Sequence, residues 1–185
     1  MTSFSLPPWP STRPAYGRVE LRAVTERDTG MARELSTDPY VPQVGSLPAN
    51  ANEDEALAWV ERQQGRYVEL AGFSFTIVEA STEKPVGHCG LWLKELGEGR
   101  ATAGYLIVPS ARRRGLAADA LLALTVFGWT VPGLFRISLY IEPWNVGSTR
   151  TAERAGYAHE GLLRSYQEIA GQRRDMLLYA AVRPA

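Results

Sequence analysis

Val108-Pro109-Ser110-Ala111-Arg112-Arg113-Arg114-Gly115-Leu116-Ala117 joins an apolar run to an amphipathic one. Upstream, Arg100 to Val108 reads as a strand. Downstream, Leu116, Ala120, Leu124 and Phe127 recur at helical spacing, which predicts a helix from about Gly115 to Thr130 lying on a sheet. A strand that passes through a basic, glycine-containing turn into a helix is suited to anions. The first N–H groups of the helix have no internal partner, point outward and are backed by the positive end of the dipole. Gly115 permits close backbone approach, Ala117 leaves room at the same edge, and the arginines add charge-assisted hydrogen bonds. No Lys-Ser or Lys-Thr follows the glycine and the three-glycine dinucleotide fingerprint is absent. Taken alone, three arginines in a row are equally well a solvated loop.

Working outward, the chain alternates strands and helices. Pro7, Pro8, Pro10 and Pro14 predict an extended arm over residues 1–16, draped on one domain spanning 17–185. Gly17 to Val24 reads as a strand, and Thr25 with Asp28 as the capped start of a helix to about Ser36. Asn52-Glu53-Asp54-Glu55 opens a helix with Ala56, Trp59, Val60 and Tyr67 on its apolar face. Phe73, Phe75 and Ile77 alternate with polar residues, and Pro85 to Lys94 forms the second arm of a hairpin. After the loop helix come a strand from Leu134 to Ile141 and a short helix from Ser148 to Ala155, stopped by Gly156. Two closing strands, Tyr157 to Ile169 and Asp175 to Val182, are joined at Ala170-Gly171. The predicted class is α/β: a mixed, mostly antiparallel, twisted sheet of about seven strands with helices on both faces.

Composition narrows the function. With 45% of 185 residues hydrophobic, the chain can bury a core of ordinary size. Lys plus Arg and Asp plus Glu number 20 each, so no general field attracts nucleic acid or an anionic membrane. No stretch approaches the roughly 20 apolar residues of a membrane span, and a cytoplasmic protein is expected. Cys89 is the one cysteine, on a strand expected to be buried and inert. His88 and His159 have no partner at metal-ligand spacing, so no metal site is expected and both read as structural.

The order Arg-x-x-Gly-x-Ala between a strand and an amphipathic helix resembles the pyrophosphate loop of the GNAT superfamily of N-acetyltransferases, which use acetyl-coenzyme A. The likeness covers about residues 17–182 and narrows to the RimJ/RimL-type branch, which acetylates ribosomal proteins. It is carried by Ala103-Gly104-Tyr105, Asn145-x-x-Ser148, Glu153-Arg154-Ala155-Gly156-Tyr157, Glu160-Gly161 and Asp175-x-x-Leu178-Tyr179. The resemblance implies that the strands flanking the loop helix splay and that pantetheine lies between them. Leu106, Ile107 and Val108 would then lie along the pantetheine, and Arg112, Arg113, Arg114, Gly115, Leu116, Ala117 and Ala118 around the pyrophosphate. It further implies that a backbone N–H, of Leu106 or else Ile107, stabilises the oxyanion, that Asn145 holds the pantetheine arm, and that Ser148 protonates the departing thiolate. Capping of the short helix is the alternative role for Ser148.

The general base is where this chain departs from its likeness. Relatives often carry acids where Thr102 and Gln167 stand. Glu142 and Glu168 are the substitutes, although Glu168 is one residue out of register and so faces the other way unless a bulge intervenes. A water chain, or an acceptor amine arriving partly neutral, is the alternative. Trp92, Tyr105, Trp144 and Tyr166 are expected to line an acceptor cleft. The expected reaction is acetyl transfer to a primary amine, either a protein N-terminus or a small molecule, in a ternary complex, by a monomer or homodimer. A longer acyl donor such as succinyl-coenzyme A, or a non-catalytic acyl-coenzyme A sensor, are the competing readings.

Overall fold

The computed structural model describes residues 6–185; the first five residues of the expected arm lie outside it. In chain order the elements are β1 (Ala15–Tyr16), β2 (Val19–Ala23), α1 (Thr29–Leu35), α2 (Val41–Val44), α3 (Glu53–Val68), β3 (Gly72–Glu79), β4 (Pro85–Trp92) and β5 (Arg100–Ile107). They are followed by α4 (Leu116–Gly128), β6 (Arg136–Ile141), α5 (Val146–Arg154), β7 (Ala158–Ile169) and β8 (Gln172–Val182). One eight-stranded sheet runs β1-β2-β3-β4-β5-β6-β8-β7. The eighth strand, beyond the seven expected, is the end of the arm: Gly17 turns at φ +56° and lets Ala15–Tyr16 pair with β2.

Every neighbouring pair is antiparallel except β5 and β6. A parallel pair needs a crossover, and α4 supplies it. On one face of the sheet Phe127 of α4 meets Phe73 and Phe75 of β3 edge-on, at centroid distances of 4.8 and 5.3 Å. The other face carries α1 and α3, where Trp59 meets His88 at 5.1 Å and Ser74 Oγ donates to Gln63 at 3.3 Å. Beneath α1, Asp28 is fully buried yet well partnered. Arg22 grips both carboxylate oxygens at 2.7 and 2.9 Å, and Thr76 Oγ1 adds a third bond at 2.7 Å. The arm packs as an element of the core: Leu6 is buried and Trp9 lies 5.0 to 5.6 Å from the rings of Tyr67, Phe73 and Phe75.

Element boundaries moved where caps decide them. Asn145 caps α5, accepting from Ser148 N–H at 3.1 Å, so this helix starts two residues before the expected Ser148. Gly115, with φ +78°, stands outside α4 as its N-cap. The helix expected from Thr25 is a single 3-10 turn, Glu26–Asp28, that leads into α1.

Candidate active site

The decisive feature lies between β5 and β6. They pair only from Arg100↔Arg136 to Thr102↔Ser138, yet continue unpaired to Ile107 and Ile141. On the far side of β5 the ladder with β4 is unbroken, and Val108 N–H donates to Val86 C=O at 3.0 Å. Antiparallel alternation then makes Val86/Val108, His88/Leu106 and Gly90/Gly104 the bonded pairs, and turns the N–H groups of Tyr105 and Ile107 toward the gap. The expectation for Leu106 as oxyanion donor is corrected here, because its N–H is engaged with His88 across the ladder. Across the gap, the bond from Arg183 N–H to Phe135 C=O (2.8 Å) fixes the same alternation against β8, so that the backbone N–H and C=O of Tyr140 face the gap.

The gap opens into a cleft of about 880 Å³. At one end is the loop before α4. Arg113 (φ +59°) and Gly115 (φ +78°) are both left-handed, a backbone form that gathers N–H groups into an anion-binding concavity. A Cβ on Gly115 would stand 2.8 Å from Arg18 Nη2 and 3.2 Å from Arg154 Nη1, so two more guanidinium groups border this spot. The three loop arginines differ in role. Arg112 Nε donates to Ile107 C=O at 3.0 Å and its Nη1 pairs with Asp38, while Arg114 pairs with Glu79. Among the described residues Arg113 has no ion-pair partner, and it lines the cleft. Arg114, Val108 and Ala118 do not line it; the last two are turned into the core, at 1% and 2% exposure. Burial works to raise the pKa of Asp38, but the Tyr40 N–H and the Arg112 guanidinium outweigh it and hold the carboxyl below its ordinary range.

Asn145 and Ser148 sit beside the loop, both lining the cleft. Since Asn145 supplies the helix cap, the hydroxyl of Ser148 is not needed for one. Tyr105 also belongs to this side, because its hydroxyl donates to Ser148 C=O at 3.3 Å. Trp92 alternates onto the opposite face, where its ring covers Gly90 and Gly104; a Cβ on either would stand within 3.1 Å of the indole. Trp144, 59% exposed, stands at the rim edge-on to Tyr40 at 4.9 Å. Tyr166 stacks on Tyr140 at 4.9 Å but does not itself line the cleft.

Neither substitute base reaches the gap. Glu168 is exposed and paired in register with Arg173, while its neighbour Gln167 faces the cleft. The register shift between Leu163 and Gln167 precedes Glu168 and leaves it on the outer face. Glu142 is 4% exposed and lies behind the lining, with Arg174 Nε at 3.7 Å; burial and this carboxylate together push the Tyr40 phenol above its ordinary pKa. Thr102 and Gln167, which carry no carboxylate, do line the cleft. No group of His, Cys, Asp and Glu able to hold a metal ion occurs among the described residues, and no helix there is long and apolar enough to cross a membrane.

A family model described as an acetyltransferase (GNAT) domain matches residues 18–158. The chain belongs to the GNAT acetyltransferases. Among its relatives, the uncharacterized N-acetyltransferase YoaA of Bacillus subtilis is 26% identical over 90% of this chain and 94% of its own. Another, the uncharacterized N-acetyltransferase p20 of Bacillus licheniformis, is 25% identical over 90% of this chain and 93% of its own. The structure of Mycobacterium smegmatis RimJ in complex with coenzyme A disulfide superposes with a TM-score of 0.76 at 25% identity, over 92% of this chain and 84% of that one. As a GNAT acetyltransferase, the enzyme draws its acetyl group from acetyl-coenzyme A.

Some cleft residues of this GNAT enzyme escaped the sequence reading. Gln63 and Arg66 stand four and seven residues after Trp59, on the inward face of α3, and both line the cleft with His88. Polar residues on an otherwise apolar helical face were the available signal. His88, read as merely structural, is 5% exposed and its Nε2 has no partner. Burial first, and the charge of Arg66 second, push its pKa down to about 4. Arg18 and Arg154 gave no local signal, since they reach Gly115 from β2's leading turn and from α5. Neither Cys89 nor His159 lines the cleft. Cys89 is fully buried, which raises its thiol pKa, and His159 packs on Tyr179 away from the cleft.

Proposed function

We propose that this enzyme acetylates a primary amine, a small molecule or a protein N-terminus, by direct attack of the amine on acetyl-coenzyme A in a ternary complex. The observation that carries the reading is the break in β5–β6 pairing after Thr102↔Ser138. It leaves the N–H groups of Tyr105 and Ile107 free to bond the pantetheine arm and the thioester carbonyl. Such donors are fixed before the reaction begins, so they stabilise the oxyanion of the tetrahedral intermediate without reorganising. The left-handed backbone at Arg113 and Gly115, with Arg18 and Arg154 beside it, receives the pyrophosphate.

The amine attacks the carbonyl carbon, the oxyanion forms against the β5 N–H groups, and collapse expels the thiolate. The hydroxyl of Ser148 protonates that thiolate and regains a proton from water, which carries the one the amine gives up. Among the described residues Asp38 is the one carboxylate lining the cleft, and it is held by Arg112. The amine therefore enters through its neutral fraction, which is substantial for an α-amino group of reference pKa about 8, and gives up its proton to water. Holding the two reactants together removes the bimolecular entropy cost, which supplies much of the acceleration.

Release of free coenzyme A thiol, measured over a panel of peptides and small amines, tests the reading. Acceptor-dependent release is expected. Acetyl-coenzyme A binding with no acceptor-dependent release across the panel would instead identify a cofactor sensor.

A further inference from the structure

The wall of the cleft formed by α3 and β4 holds two polar atoms that folding has left without partners. Arg66 Nε and His88 Nε2 are both buried and make no hydrogen bond among the described residues. They belong to side chains that line the same cleft. Buried donors and acceptors are nearly always partnered within a protein, so two orphans together at the wall of a cleft point to a ligand. Their neighbours are fixed: Trp59 holds the His88 ring edge-on, and Gln63 is tied to Ser74.

The charge of this wall is one-sided. Arg66 has no carboxylate partner among the described residues. Asp38, the one carboxylate lining the cleft, is taken by Arg112, and nearby Asp28 lies fully buried in the grip of Arg22 and Thr76. A polycationic acceptor such as a polyamine meets an unneutralised guanidinium here, whereas a carboxylate finds a charged donor. Position sets how far the anion lies from the reacting amine. His88 is directly opposite Leu106, the residue between the two N–H groups assigned to the cofactor, so an anion on Arg66 and His88 is a short distance from the thioester.

We propose that Arg66 and His88 form an anion subsite, and that the acceptor is an amine carrying a carboxylate on the same molecule. Resting on the transfer reaction proposed above, it deepens that reading by naming the class of acceptor. Arg66 donates through Nε to one carboxylate oxygen and supplies the charge, while His88 offers a hydrogen bond from the sheet side and Trp59 and Trp92 exclude water.

The test uses matched amines that differ in one carboxylate against carboxamide, with rates referred to the neutral amine. β-Alanine with β-alaninamide represents small molecules, short peptides beginning with aspartate or asparagine represent protein N-termini, and spermidine is the polycation. The acid member of at least one pair is expected to show about tenfold higher kcat/KM, the effect of one charge-assisted hydrogen bond, carried mainly in KM. Arg66→Gln should cut that preference to near unity, and Arg66→Lys should restore part of it. Calorimetric binding of the same pairs to the coenzyme A-loaded protein reads the subsite independently of turnover. Equal rates and equal binding for both members of each pair, or preference for spermidine, would overturn the subsite. Selective binding of the acids without thiol release would keep it and reject the transfer reaction.

Discussion

Gly115→Ala separates the two consequences of the loop's shape. The residue sits at φ +78°, and a left-handed conformation costs an L-residue about 1 to 2 kcal/mol. The added Cβ would meet only the ends of two side chains, Arg18 Nη2 at 2.8 Å and Arg154 Nη1 at 3.2 Å, which can swing away. Little is therefore added to the backbone term. For a chain of 185 residues, each kcal/mol lowers the melting temperature by about 2 to 4 °C, so a fall of about 2 to 8 °C is expected in the absence of ligand. Cofactor binding should suffer more. The methyl group occupies the close-approach position and displaces both guanidinium groups from it. Loss of one charge-assisted hydrogen bond, worth about 1.5 to 3 kcal/mol, weakens acetyl-coenzyme A binding by about tenfold to a hundredfold. Calorimetric titration gives the affinity and thermal unfolding gives the stability. A lowered melting temperature with unchanged affinity would refute placement of the pyrophosphate at Gly115.

The further predictions concern α5 and the response to acid. Asn145 caps the helix and Ser148 does not; Asn145→Ala should thus cost about 1 kcal/mol of stability by denaturant unfolding. Ser148→Ala should leave stability within about 0.5 kcal/mol and lower kcat with little change in cofactor affinity. His88, held neutral with its pKa near 4, takes up no proton in the folded state between pH 6.5 and 4, whereas the unfolded chain does. Stability should accordingly fall by about 3 kcal/mol as pH drops through that window, and His88→Gln should flatten the slope there. Below about pH 4 Asp28 adds a further loss. Burial alone would raise its pKa, but Arg22, the Thr25 N–H and Thr76 together hold it down, so protonation breaks a fully buried ion pair. A flat wild-type profile between pH 6.5 and 4 would contradict the burial of a neutral His88.

The proposed donor side of the site was legible in the sequence because it is local. A strand, a turn and a helix are written within the stretch from Arg100 to Phe127, and the anion-binding geometry follows from backbone conformations that Gly115 favours. Alternation and helical spacing likewise predicted nearly every element, since period 2 and period 3.6 record which face is buried. Asn145 and Ser148 were recognised as a pair, although which of them caps α5 depends on where the first turn begins.

Periodicity and turn residues were enough for the order of elements, the sheet with helices on both faces, and the basic glycine turn between β5 and α4 to which we assign the pyrophosphate. Only the tertiary structure decided which backbone N–H groups face the gap, because that depends on ladder register with β4 and on where pairing with β6 stops. The separate fates of the three loop arginines were likewise settled by Asp38 and Glu79, residues distant in the chain. The wall proposed for the acceptor came from the same source. Trp59 and Arg66 on α3 and His88 on β4 meet because a helix packs across a strand. Their unpartnered atoms arise from that meeting, and no spacing within either segment encodes it.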